Sequence, residues 1–144
     1  MTDTCEMPDK NPIHDDIKRL LESSKTIAVV GLSDKPERDS YRVAKYMKDA
    51  GYRIIPVNPT KTNILGEPCY ASLNDIPEPV DIVDIFRKPD AIPPIVDAAI
   101  EIGAKAVWMQ RGLAHHESAE KARGAGLDVV QSKCIKVEHK KLLG

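Results

Sequence analysis

Gly31, Ser33, Lys35, Arg38, Ser40 and Tyr41 fall in one short polar stretch that directly follows the apolar run Thr26–Val30. A helical pattern begins near Ser40. A strand that ends at a glycine and leads into a helix start is the arrangement by which α/β domains hold a pyrophosphate. The unpaired N–H groups and the partial positive charge of the helix N-terminus face the anion. The usual glycine fingerprint, G-x-G-x-x-G, is incomplete: Ser33 and Pro36 stand where its second and third glycines would fall. In their place the loop supplies hydroxyls at Ser33, Ser40 and Tyr41, a point charge at Lys35 and a guanidinium at Arg38 that can fork onto phosphate oxygens. These residues predict a site for a phosphate-rich nucleotide.

A second group narrows the nucleotide. A strand predicted at Arg53–Val57 runs into Asn58-Pro59-Thr60-Lys61. NAD sites normally carry Asp or Glu at this strand end, on the ribose hydroxyls. Here the carboxylate is missing and Lys61 is close, which suits a ribose bearing a phosphate. NADP and coenzyme A both meet that description. At the next strand end, Phe86 can pack on an adenine or a pantetheine chain and Arg87 can reach phosphate. After the fourth strand, Gln110 and Gly112 are the rim candidates, with Trp108 and Gln110 on one side of the strand and Met109 on the other.

The elements that must position these residues follow from periodicity. A short amphipathic helix is predicted over residues 13–23, with Ile13, Ile17, Leu20 and Leu21 on one face. Strands are predicted at Thr26–Val30, Arg53–Val57, Asp81–Phe86, Ala106–Met109 and Leu127–Val130. Helices are predicted at Tyr41–Ala50, Asp90–Ile102 and His116–Arg123, stopped by Gly51, Gly103 and Gly124 or Gly126. The segment 60–77, broken by Gly66, Pro68 and Pro77, has only a weak helical turn near Ser72–Asp75, so the second crossover helix is short or absent. Alternating strands and helices predict an α/β, Rossmann-like, three-layer αβα domain with a five-stranded parallel sheet. The expected strand order is 3-2-1-4-5. Residues 1–11 read as a loose leader and residues 12–144 as a single domain.

Composition restricts the alternatives. A formal net charge of −1 argues against nonspecific nucleic-acid binding, and aromatics at 4% supply no base-stacking platform. No apolar run approaches the roughly 20 residues that span a bilayer. The N-terminus lacks the basic start and apolar stretch of a signal peptide. Cys5, Cys69 and Cys134 have no metal-like spacing, so reduced thiols and a cytoplasmic location are the expectation. In the tail, Cys134, Glu138 and His139 suggest a nucleophile or a metal, yet no partner stands at a useful spacing. No acid/base pair stands out.

Taken in order, several motifs resemble one family. They are Gly31-x-Ser33 with Pro36, Arg38, Ser40 and Tyr41; Val57-Asn58-Pro59; Asp81 to Arg87; Trp108-Met-Gln110-x-Gly112; and Cys134-x-Lys-x-Glu138-His139. The set is similar to the small stand-alone CoA-binding proteins of bacteria and archaea, from about Ser24 to Lys141. It also resembles the CoA-binding domain of the succinyl-CoA synthetase alpha subunit, whose Val-x-Pro-x-Lys run is matched by Val57, Pro59 and Lys61. The resemblance implies a Rossmann-like domain that binds coenzyme A or an acyl-CoA. It does not imply the synthetase reaction, since the phosphohistidine domain and the nucleotide-grasp partner have no counterpart here. The expected function is therefore CoA binding without catalysis. The alternatives are an NADP-linked oxidoreductase, a CoA-ligase component that needs a partner subunit, and an interaction scaffold with a vestigial nucleotide site. No protein partner is identified by any motif.

Overall fold

The computed structural model describes residues 14–144. The predicted leader and Ile13 lie outside the described residues. In chain order the elements are α1 (His14–Ser23), β1 (Thr26–Val30), α2 (Asp39–Asp49), β2 (Arg53–Val57), β3 (Asn63–Ile64), β4 (Glu67–Pro68), β5 (Ile82–Ile85), α3 (Ile92–Glu101), β6 (Ala106–Met109), α4 (His116–Gly124), β7 (Asp128–Val130) and α5 (Ile135–Leu142). Single turns of 3-10 helix occupy Leu73–Asp75 and Pro89–Ala91. Pro93 and Pro94 sit in the first turn of α3, where a missing N–H costs nothing.

Five strands form one parallel sheet in the order β2-β1-β5-β6-β7. The strands β5 and β6 are buried along their whole length and β1 from Ile27 onward, as central strands covered on both faces must be. Alternate side chains serve two cores. One joins Ala28, Val30, Val83, Ile85, Val107 and Met109 to α3 and α4. The other joins Ile27, Val29, Ile82 and Trp108 to Ile17 and Leu21 of α1, Val43 and Met47 of α2, and Ile135 of α5. The fold is therefore the predicted three-layer αβα sandwich, and the tail contributes a helix to it.

The strand order corrects the expectation. Counting only the strands of this sheet, the order is 2-1-3-4-5 rather than 3-2-1-4-5. Strand β2 lies at the edge, and β5 pairs with β1 instead. Pro56 supplies the reason. A strand residue directs its N–H and C=O to the same side, and the Pro56 carbonyl accepts from the Tyr70 N–H at 3.0 Å, away from β1. Proline has no N–H to give to a strand on that side, so β2 tolerates no full neighbour there. The Tyr70 segment closes the edge instead, through a single parallel bridge to Val57. The chain then crosses over β1 on the face opposite α2, where Leu73 packs in the α3/α4 core.

The correction does not move the site. In either order, growth of the sheet reverses beside β1, and ligands bind beyond the carboxyl ends of the strands at that reversal. The reversal here lies between β1 and β5. No helix among the described residues is long and apolar enough to cross a membrane.

Candidate functional site

Three strand ends are drawn together by backbone bonds. The Gly31 N–H donates to the Val57 carbonyl at 2.9 Å, and the Phe86 N–H donates to the Val30 carbonyl at 2.9 Å. Gly31 has φ +86°, and a Cβ there would press into the Phe86 carbonyl oxygen and lie 2.8 Å from Arg87 Cδ. The first glycine of the motif is thus needed for two reasons, its left-handed backbone and the close approach of the loop after β5.

Beyond Gly31 the loop curls into α2. The Ser33 N–H donates to Ser40 Oγ at 3.0 Å, and the Lys35 N–H to Ser33 Oγ at 3.1 Å. Ser40 is buried and ties the loop down; it does not cap the helix. The N-cap is Arg38, in an extended conformation and with no side-chain cap bond. The first turn of α2 thus leaves N–H groups for an outside acceptor. Asp39 in that turn is exposed and ion-paired with Arg42. Neither Lys35 nor Arg38 has an acidic partner among the described residues.

Asn58 closes the opposite wall, and its side chain is engaged within the fold. Its Nδ2 donates to the Leu32 carbonyl at 3.0 Å, and its Oδ1 accepts from the N–H and hydroxyl of Thr60. Lys61 pairs with Asp34 at 3.1 Å across the mouth. Gly31, Ser33, Lys35, Arg38, Ser40, Asn58, Lys61 and Phe86 all line one cleft of ≈ 620 Å³.

A larger cleft of ≈ 1240 Å³ adjoins it, and Asp39 and Phe86 line both. Here Arg87 and Gln110 appear, together with residues that sequence reasoning missed: Arg42, Lys88, Arg111, Leu113, Lys136 and Val137, and Cys134, which it had judged structural. Five cations face this cleft against two acids, Asp39 and Asp90, in a chain of net charge −1. The local potential is therefore positive, which favours anionic ligands. Arg42 could have been inferred from its place one turn after Arg38. The residues from α5 could not, because nothing local shows that the tail returns to the strand ends.

Three predicted residues stay outside both clefts. Pro59 is exposed in the turn after β2. Tyr41 packs against the α1/α2/α5 core. Gly112, at φ +87°, donates its N–H to Ser132 Oγ at 3.1 Å and shapes a turn.

Beneath the larger cleft lies a group the motif analysis passed over. Asp84, the acid within the apolar strand β5, is buried, and one carboxylate oxygen accepts from Gln110 Nε2. Burial pushes its pKa up to about 8, against a smaller opposing pull from the Gln110 hydrogen bond. A solitary acid in a β-branched run was the available signal.

The tail residues pack. His139 Nδ1 lies 3.0 Å from the Tyr46 hydroxyl, and its ring meets Tyr46 and Tyr52 edge-on. Burial holds its pKa below the usual histidine value. Cys134 is a free thiol at the start of α5. Among the described residues no group of His, Cys, Asp and Glu could hold a metal ion. His115 caps α4, its Nδ1 accepting from the Ser118 N–H at 3.2 Å.

Comparison with known proteins places this geometry in a family. The CoA binding domain family matches residues 25–140. The Bacillus subtilis (strain 168) protein YneT is 45% identical over 130 residues, covering 90% of this chain and 96% of its own. A solved structure from Pyrococcus horikoshii OT3 superposes with a TM-score of 0.91 at 42% identity, over 96% of this chain and 98% of that one. An ADP-forming acetate–CoA ligase of Methanocaldococcus jannaschii is 30% identical over 81 residues, 56% of this chain but only 12% of the ligase. With matches spanning nearly its whole length, the chain belongs to the CoA-binding-domain family, related to the CoA-binding part of the acetate–CoA ligases.

Proposed function

We propose that this protein binds coenzyme A or an acyl-CoA across the two joined clefts and has no catalytic centre of its own. The pyrophosphate meets the start of α2, flanked by Lys35 and Arg38. The thiol-bearing arm passes Phe86 into the larger cleft. The observation that carries this reading is the α2 N-terminus: it has no side-chain cap, and it shares its cleft with Lys35 and Arg38, neither of which has an acidic partner among the described residues. An anion there meets backbone donors and positive charge together. The loop after β2 supports the same choice, since it offers Lys61 where an NAD site would offer an acid. On this reading Lys61 exchanges Asp34 for the ribose phosphate.

The match to a segment of a much longer ligase favours one further reading, in which the protein presents CoA to a partner that performs chemistry.

Thermal melts test the ligand. CoA at 100 times its dissociation constant should stabilise the fold by about 2.7 kcal/mol through linkage, and more than NAD at equal concentration. Equal stabilisation by NAD defeats the proposal. NADP instead of CoA in the mass spectrum of ligand released from purified protein transfers the site to the oxidoreductase alternative.

A further inference from the structure

The Asp84–Gln110 pair is a buried polar exception in an otherwise apolar strand region and is costly for the fold. Asp84 follows Ile82 and Val83 and precedes Ile85 in a strand buried on both faces. A carboxyl in that position loses its hydration and gains one hydrogen-bond partner among the described residues, the Gln110 carboxamide. A leucine or valine there would pack without that loss. Such an exception to the apolar pattern is expected where a site needs a held group.

What is held is the Gln110 carboxamide. A carboxamide has two ends, one donating and one accepting, and a rotation of half a turn exchanges them. Here Nε2 is turned down onto the Asp84 oxygen. Gln110 is itself buried, yet it lines the larger cleft. Its Oε1 has no donor among the described residues. It is also not sealed away: among those residues, Glu138 Oε1 is the side-chain oxygen found both enclosed and without a partner. Oε1 therefore faces the cleft as an acceptor awaiting an N–H. The same cleft carries, beside its charged side chains, the apolar residues Val43, Phe86, Ala91, Leu113 and Val137. An acceptor in a cleft that has apolar side chains as well as cations suits an aliphatic chain that is interrupted by an amide and joined to an anionic group.

We infer that Gln110 Oε1 accepts an amide N–H from the arm of the bound ligand, and that Asp84 is the positioning residue that keeps the carboxamide turned that way. The inference rests on the CoA reading, which supplies such an arm: the pantetheine chain carries two secondary amides and continues from the pyrophosphate. It deepens that reading by giving the arm a recognition contact distinct from the phosphate contacts.

Titration calorimetry with two ligands tests it. Coenzyme A contains the arm; 3′-phospho-ADP keeps the nucleotide and pyrophosphate and lacks the arm. Gln110→Ala should weaken CoA binding about 3- to 10-fold, the range of one hydrogen bond, and leave 3′-phospho-ADP within about twofold of wild type. Asp84→Leu should weaken CoA binding in the same selective way, because the carboxamide is released. Asp84→Asn should recover most of it, since an amide oxygen still accepts from Nε2. In 15N-labelled wild-type protein, the Gln110 carboxamide resonances should move with CoA and stay in place with 3′-phospho-ADP. That measurement stands even where a variant does not fold. Equal losses for both ligands, or unmoved Gln110 resonances in CoA, overturn the inference while leaving CoA binding intact. A wild-type protein that binds neither ligand overturns the underlying reading instead.

Discussion

The two clefts at the strand ends are built in opposite ways. The smaller one is made from two consecutive connections, the loops after β1 and β2, and most of its polar side chains are already committed. Ser33 and Ser40 hold the loop, Asn58 holds the loop and its own turn, and Lys61 is paired with Asp34. The larger cleft is assembled from α2, the loops after β5 and β6, and the start of α5. Its cations Arg87, Lys88 and Arg111 have no acidic partner among the described residues. The first cleft is a cradle whose loops are tied by hydrogen bonds and which offers backbone donors; the second is a positively charged trough that offers mainly side chains. Backbone donors held in this way give geometry to a small, compact group such as pyrophosphate. Side chains, charged and apolar, suit a longer, more variable group.

The largest effect should come from breaking the cradle. Gly31→Ala places a Cβ against the Phe86 carbonyl at a left-handed backbone position. We expect a loss of about 3 kcal/mol, or roughly a 10 °C lower melting temperature, with CoA binding lost alongside. A melt unchanged from wild type would mean that the three strand ends are not tied as described.

Next is the cation at the helix start. Arg38→Ala should cost CoA affinity about 1.5–3 kcal/mol, as for other charge-assisted hydrogen bonds. Arg38→Lys should restore part of it, keeping charge but losing the fork. The ligand-free melt should not change, because Arg38 is exposed. Arg87→Ala in the trough should cost less than Arg38→Ala, because Arg87 lines the larger cleft and not the α2 start where the pyrophosphate is proposed to sit. The reverse order in calorimetry would move the pyrophosphate into the larger cleft.

Asp84 gives a pH test of the trough floor. Its native pKa of about 8 lies above its unfolded value. The native state therefore keeps a proton that the unfolded chain has released. The stabilisation is full below the unfolded pKa and is lost as pH rises through the native pKa. Between pH 6 and 8 wild type should lose about 2 kcal/mol from this group, and Asp84→Asn should abolish that part of the slope. Urea melts at both pH values decide it; parallel slopes in the two proteins would show that Asp84 is ionised throughout.

The smallest effects belong to the tail. Cys134→Ser and His139→Ala should leave CoA affinity within about tenfold, or about 1.4 kcal/mol. A greater loss would make the α5 wall a direct ligand contact, and stoichiometric zinc in the wild-type protein would assign the tail a metal.

Much of this arrangement is legible in the sequence. The strands Thr26–Val30, Arg53–Val57 and Ala106–Met109 have the boundaries that periodicity assigned. Residues of the first two loops line one cleft because adjacent parallel strands end side by side; their proximity follows from β1–β2 pairing alone. Pro56 also carried the strand order, as a proline whose missing N–H keeps its strand at an edge, a signal that the sequence analysis did not use. Tyr41, Pro59 and Gly112 were assigned to the site by their neighbours in sequence, yet none of the three lines either cleft. Asp84 was read as part of a strand and not as a buried acid, because burial of one position is not visible in a short run.

The sequence by itself determined the five strands of the sheet and the helices α1 to α4, the parallel α/β class, the end of the sheet where the candidate site lies, and the glycine and cations at the α2 start. Those features depend on local periodicity, backbone preference and the dipole of a helix terminus, which act within a few residues. The tertiary structure alone decided that α5 returns to wall the larger cleft, that Lys61 meets Asp34, and that Gln110 is fixed by Asp84 from the neighbouring strand. Those contacts join segments far apart in the chain, and only the packing of helices on a sheet of defined order brings them within hydrogen-bonding reach.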